Sequence, residues 1–292
     1  MTHDQNFKNL VLDYPREALA FFAEAEARDL TPDVRITPVR EEQLKERLGE
    51  RFRELDIPLL VEWPDGRRGA LVFVVEEETD PKRFSISRLA HYCLDIAELL
   101  DTWRVVPVVV FLRGGPSERS LELGGDQDSY LRFHFLSIEL KTMAYCEHRE
   151  SSNIVARLKL PNMNYQPEER VAVYAAAVRG LTRLEPDPER QRKYLDFVDI
   201  YAALDETERE RYEREYPDEV STMKSFSERF IEQGVQQGVQ QGEALALIRV
   251  MRRKFGDLPE PARQRIESAD AETLLQWLDR IVTAKSVDEV IH

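Results

Sequence analysis

The segment Leu55–Thr79, LDIPLLVEWPDGRRGALVFVVEEET, decides the fold. Two apolar runs, Leu55–Trp63 and Gly69–Glu77, flank PDGRR, whose Asp65-Gly66 pair marks a tight hairpin turn. The second run ends in three consecutive glutamates, Glu76 to Glu78, where a buried strand should finish. If the hairpin folds about Gly66, residues whose numbers sum to about 132 face each other, so Asp56 falls opposite Glu76 and alternation puts Glu78 on the same face. Three carboxylates then converge at one end of a sheet. Unpaired, they repel and raise one another's pKa, a cost that a divalent cation removes. Hard oxygen ligands suit Mg²⁺ or Mn²⁺. Acidic residues at a strand end also mark where a chain simply meets solvent, and spacing alone leaves both readings open.

Outward from this hairpin, Phe84–Trp103 has the spacing of an amphipathic helix and Val105–Leu112 that of a fully buried strand. A helix between two such strands implies a right-handed crossover, with the new strand parallel in the same sheet. Upstream, Tyr14–Arg28 has helical spacing with Pro15 in its first turn, Asp33–Val39 reads as extended, and Glu41–Glu54 as a charged helix. The order helix, three strands, helix, strand gives an α/β domain over residues 1–150. Tyr130–Glu139 alternates like a further strand, and His134 and His148 read as structural. Glu168–Gly180, Asp187–Leu204 and Asp205–Glu215 read as helices of a region, 151–230, packed on or beside the sheet domain. Met223–Arg253 reads as one long helix in which Gly234, Gly238 and Gly242 recur every four residues. Glycine costs about 1 kcal/mol inside a helix, so the stripe indicates either close packing between subunits or a flexible connector. Lys254–Gly256 ends it, and two short helices, opened by Asp257 and Asp270, complete a terminal region 231–292.

A chain of 292 residues with 42% apolar and 33% charged residues is long enough for two ordinary domains and is not of disordered composition. Nothing approaches a membrane span of ~18 apolar residues, and MTHDQNFKNL lacks the basic start and apolar run of a signal peptide. A cytoplasmic protein with no membrane contact is expected. Cys93 and Cys146 sit in runs of regular structure and read as two core thiols; the five histidines show no metal-ligand spacing with them. The net charge of −14 argues against a broad electrostatic grip on nucleic acid without excluding a local one. Much of the acid lies in runs such as DETERERYEREYPDE, Asp205–Glu219, which read as a solvated helix face.

Asp56, then a hairpin, then Glu76-x-Glu78 at the end of an apolar strand, then an Arg88-Leu-x-x-Tyr92 helix, resembles the PD-(D/E)XK nuclease core. With HDQNFK at His3–Lys8 it looks most like the recombination-promoting nuclease (Rpn) branch, also described as putative transposases, and Glu243–Ile291 resembles the small helical domain DUF4351 appended to such proteins. The resemblance implies a restriction-endonuclease-like fold, a mixed sheet flanked by helices, and Mg²⁺-dependent cleavage of DNA linked to recombination or mobile elements. It makes Asp56, Glu76 and Glu78 the metal site and places Arg88 in the catalytic set, with Lys82, Arg83 or Lys8 as further sources of positive charge. The third position is usually Lys, and in this branch Gln; here it is Glu78, which can bind an ion or take a proton but cannot stabilise an anionic transition state as a cation does. Arg88 reads equally as a salt-bridge partner of the glutamates, and Asp4 with Lys8 as a helix-start pair. Homo-oligomerisation through the C-terminal helices is a further expectation. The alternative from another class is a catalytically silent relative that binds DNA or protein.

Overall fold

The computed structural model describes residues 3–39, 44, 57–76, 84–112, 114–115 and 118–291, with the side chains of 3–4, 72–76 and 225–239 outside the description. The chain forms two compact units, Met1–Glu219 and Val220–His292.

The first unit is α/β. It begins with α1 (His3–Asp13), α2 (Pro15–Phe22) and α3 (Glu24–Ala27), followed by β1 (Arg35–Pro38), β2 (Ile57–Glu62), β3 (Arg68–Glu76), α4 (Ile86–Leu100) and β4 (Val105–Phe111). A hairpin of β5 (Ser120–Gly124) and β6 (Ser129–His134) precedes β7 (Leu136–Glu139). The main sheet has the order β1-β2-β3-β4-β7. β2 lies antiparallel between β1 and β3, whereas β4 and then β7 continue the sheet parallel to β3. This is the parallel crossover expected from the strand–helix–strand pattern.

Local chemistry explains these elements. The hairpin turn closes with Trp63 N–H donating to Arg67 O at 2.9 Å, and Gly66 takes the left-handed φ of 84° that favours glycine. α4 starts at Ser85, whose hydroxyl accepts from Arg88 N, and stops at Asp101, a left-handed cap. Its stripe of Ile86, Leu89, Cys93 and Ile96 packs on Ala70, Val109 and Phe111 of one sheet face, with Leu44 in the same core. On the other face Ile57, Leu59, Val61, Leu71, Val108 and Val110 are buried as well. Sheets containing parallel strands have both faces covered. Pro107 is tolerated in β4 because β7 pairs only from Val108 onward.

Several expectations are corrected. Tyr14–Arg28 is not one helix: Ala23, buried with φ −136° and ψ 49°, breaks it between α2 and α3. Tyr130–Glu139 is not one strand, because β6 pairs with β5 while β7 joins the main sheet, the switch falling at buried Phe135. Period-two alternation runs through such a switch unchanged. Cys93 is a core thiol, but Cys146 is exposed. The hairpin register runs Ile57↔Phe73 to Glu62↔Arg68, two residues short of the expected pairing, because the chain turns about Asp65 rather than Gly66. Apart from Leu44, the expected helix Glu41–Glu54 lies outside the described residues.

The same unit continues through α5 (Tyr145–His148), α6 (Ile154–Leu158), α7 (Arg170–Leu184), α8 (Pro188–Ala202) and α9 (Glu206–Glu215). These helices hold α1 by polar contacts in a largely apolar setting. Fully buried Lys159 lies 4.8, 4.7 and 4.9 Å from the ring centroids of Phe7, Phe197 and Tyr201. Asp13 accepts from Lys193 Nζ and lies against the Tyr194 hydroxyl, each at 2.6 Å, and the Tyr14 hydroxyl donates to Glu185. Burial pushes the Asp13 carboxyl up, but the hydrogen bonds from Lys193 and Tyr194 outweigh it and hold the group below its ordinary value.

In the second unit, α10 (Pro217–Phe255) ends at Gly256, whose φ of 85° suits a left-handed stop. α11 (Glu260–Glu267), α12 (Ala271–Arg280) and α13 (Val287–Val290) then pack with the end of α10 around Leu247, Met251, Ile266, Leu274, Trp277 and Val290. Asp270 caps α12 by accepting from Thr273 N at 2.8 Å, as expected. Asp257 does not open α11, since its cap position is Pro259, where Glu260 and Pro261 supply the first turn. Among the described residues no helix is long and apolar enough to cross a membrane.

Candidate functional site

The carboxyl ends of β3, β4 and β7 lie level at one edge of the sheet: Glu76 pairs with Phe111, and Phe111 with Glu139. Each is the last residue of its strand. Strands sit roughly 4.8 Å apart, so the backbones of Glu76 and Glu139 are about 10 Å apart across β4. β2 runs the opposite way, so its first residue, Ile57, belongs to the same edge and pairs with Phe73. Asp56 immediately precedes that residue in sequence.

The other elements meeting here follow from the crossover. Because β3 and β4 are parallel, the helix joining them starts beside the carboxyl edge and runs back. Phe84, just before α4, fixes that start by packing on Phe111 at 5.7 Å and Phe135 at 5.2 Å between ring centroids. Arg88 is exposed in the first turn, its backbone N–H donating to Ser85 Oγ at 3.3 Å. After β4 the chain passes over Glu139. Gly115 approaches its carboxyl group so closely that a Cβ has no room, and the Arg119 guanidinium pairs with it. The Glu139 side chain is 18% exposed, that of Arg119 64%.

The sequence-predicted residues divide accordingly. Asp56, Glu78, Lys82 and Arg83 lie outside the described residues, and Glu76 is described by its backbone register. Arg88 is placed beside the same edge by α4. α1, which carries Lys8, is anchored by Phe7 and Asp13 to Lys159 and to Lys193 and Tyr194. His148 stacks edge-on against Phe21 at 5.5 Å, and His134 is exposed at the end of β6. Among the described residues no group of three or more His, Cys, Asp or Glu is placed to hold a metal ion. Glu139 was missed. It was read as the tail of a single strand, and only the change of sheet partner at Phe135 brings it level with Glu76.

The backbone register brings Glu76 and Glu139 to one edge of the sheet, with the helix start that carries Arg88 beside it, and these residue types suit a hard cation and an anion. No family model matches the chain, and neither curated proteins nor solved structures give a match.

Proposed function

We propose that the chain is a metal-dependent endonuclease of the PD-(D/E)XK type, of the recombination-promoting branch, that hydrolyses DNA phosphodiester bonds. The observation that supports this reading is the carboxyl edge of the sheet: Glu76 lies level with the carboxyl ends of β4 and β7, β2 enters at the same edge opposite Phe73, directly after Asp56 in sequence, and α4 starts there with Arg88 in its first turn. The element order of a helix, three antiparallel strands, a helix and a parallel strand supports the same core. An all-carboxylate donor set from Asp56, Glu76 and Glu78 fits Mg²⁺ or Mn²⁺ and does not fit softer metals. When bound, the ion supplies polarisation of the scissile phosphate and a water of lowered pKa. Glu78 is then the group beside the attacking water that accepts its proton, and Arg88 the cation facing the phosphate. Glu139, neutralised by Arg119, leaves the remaining edge free of one further negative charge that would repel DNA. The second unit is the appended DUF4351-like domain, and the Gly234, Gly238 and Gly242 stripe its contact with another copy.

A second reading, a silent relative that binds DNA or protein, is favoured by Glu78 in the place of Lys or Gln and by the net charge of −14. Supercoiled plasmid incubated with the purified protein in Mg²⁺ or Mn²⁺, against a chelator control, separates the two. Metal-dependent nicking is expected. If Glu78 is merely an uncompensated charge, Glu78→Lys retains or raises the rate; if it is the base, the rate falls about a hundredfold or more. No cleavage by either protein, on any DNA form, leaves the silent relative.

A further inference from the structure

At the opposite, amino edge of the same sheet lies an open pocket of about 210 Å³ between the α3–β1 connection and the starts of β3 and β4. Its floor is apolar, with Leu71, Val105 and Val106, and its walls carry Trp63, Trp103, Arg104 and Glu26. β3 has nine residues, so the two edges are about 26 Å apart and this pocket is separate from the carboxylate edge.

The Trp63 wall is fixed. The Trp63 indole N–H donates to Asp29 O at 3.3 Å, and its six-membered ring lies over Gly69, where a Cβ would meet it at 3.4 Å. Arg67 and Arg104 stack on the same ring, 5.1 and 5.2 Å from its centroid. Stacking occupies the face of a guanidinium and leaves its in-plane N–H donors available. Trp103 is 84% exposed, yet the loop that carries it is pinned. Thr102 Oγ1 donates to Arg68 O at 2.9 Å and accepts from Arg104 N at 3.2 Å, directly after the left-handed Asp101. A large exposed aromatic carried by a pinned loop at the mouth of a pocket offers a face for ring stacking.

Arg67 is paired with Asp65 at 2.6 Å and Arg68 with Glu62 at 3.3 Å, whereas Arg104 and Glu26 form no ion pair among the described residues. The lining therefore offers a fork of donors from Arg104, a carboxylate acceptor from Glu26 and the flat aromatic face of Trp103. Their complement is a planar bicycle with acceptors on one edge and donors on the other. Guanine has this pattern: O6 and N7 accept from an arginine, while N1–H and the exocyclic amine donate to a carboxylate. Adenine, with an amine in place of O6 and no N1–H, meets both walls with the wrong groups. The volume suits one base and is below the 300–1,000 Å³ typical of sites for larger ligands.

We propose that this pocket binds a guanine base, stacked on Trp103 and read by Arg104 and Glu26. The base could belong to a free nucleotide or to a single strand, and the chemistry is the same. The test titrates the full-length protein with GMP, AMP and a short oligothymidylate with or without one central guanine, by calorimetry and tryptophan fluorescence. Trp277 is buried in the second unit, so it contributes a constant background. GMP is expected to bind at least about tenfold more tightly than AMP, the scale of one lost bidentate contact. Glu26→Ala and Arg104→Ala should each remove that preference, and Trp103→Ala should weaken both nucleotides. All three side chains are exposed, so the variants keep the fold. Tighter binding of the guanine-containing oligonucleotide identifies a strand as the source, and binding of GMP alone identifies a free nucleotide. Absence of GMP binding at millimolar concentration, or equal affinity for GMP and AMP, overturns the proposal. Glu76→Gln leaves this binding unchanged whether or not it affects cleavage, so the two sites fail separately.

Discussion

The two edges of the sheet handle polar groups in opposite ways. At the carboxyl edge, charge stands at the ends of apolar strands, with Glu76 and Glu139 level across β4. At the amino edge, aromatic and guanidinium groups form a scaffold of stacking and hydrogen bonds around Trp63. A carboxylate at a sheet edge gains from a cation, as Glu139 does from Arg119, whereas an exposed aromatic ring gains from a flat ligand. The first edge is arranged for what it lacks, the second for what it presents.

The largest effect should come from the carboxyl edge. Asp56→Asn and Glu76→Gln should each lower metal-dependent plasmid cleavage by about a hundredfold or more, the scale of a lost metal ligand or acid–base group. Thermal midpoints should hold or rise as repulsion is relieved. Wild-type rates in both variants would sink the assignment and erase the contrast between the edges.

The second edge responds through stability. Thr102 is 8% exposed, and Thr102→Val deletes both hydrogen bonds that pin the loop, leaving Arg68 O without its donor. A loss of about 2 kcal/mol is expected in a urea titration. No change would mean that Trp103 is not rigidly held.

The third test lies away from both edges. Asp13 is held below its ordinary carboxylate value, so its contribution is present at neutral pH and is lost as pH falls through the folded value, below the reference 3.8. Asp13→Asn should cost about 1 kcal/mol at pH 7, since the pair is partly screened by solvent. The difference from wild type should close in acid. A gap that widens as the pH drops would reverse the assigned sign. The smallest effect belongs to Trp103→Ala, which should shift the unfolding free energy by less than about 0.5 kcal/mol because the ring is 84% exposed. A larger loss would show the ring to be part of the core.

What could be read from the residues follows the same division. The hairpin, α4 and β4 were legible because Gly66, the Ile86 to Ile96 stripe and the VVPVVVF run each announce one period and one stop. The extent of β3 was legible because three glutamates interrupt an apolar pattern where its described residues end, at Glu76. Glu139 was not, since pairing partners leave no trace in alternation. Neither was the pocket: Trp63 and Arg104 sit next to turns, where polar and aromatic residues are ordinary, and only the fold brings Glu26 of α3 to the same pocket. The helix break at Ala23 escaped for a related reason, because alanine favours a helix and only tertiary packing overrides it.

The anchoring of α1 also has a consequence for how the chain is made. Tyr194 donates to Asp13 across 181 residues of sequence, and Lys193 reaches the same carboxylate across 180. On a ribosome, the first helix emerges long before α8 exists to receive it. Phe7 can pack early on Phe22 of α2, 5.5 Å away between ring centroids, but the Lys159 and Tyr194 side of α1 is covered only once α8 has been made. That side of α1 is therefore completed late, and a chaperone that recognises short apolar stretches has time to engage it.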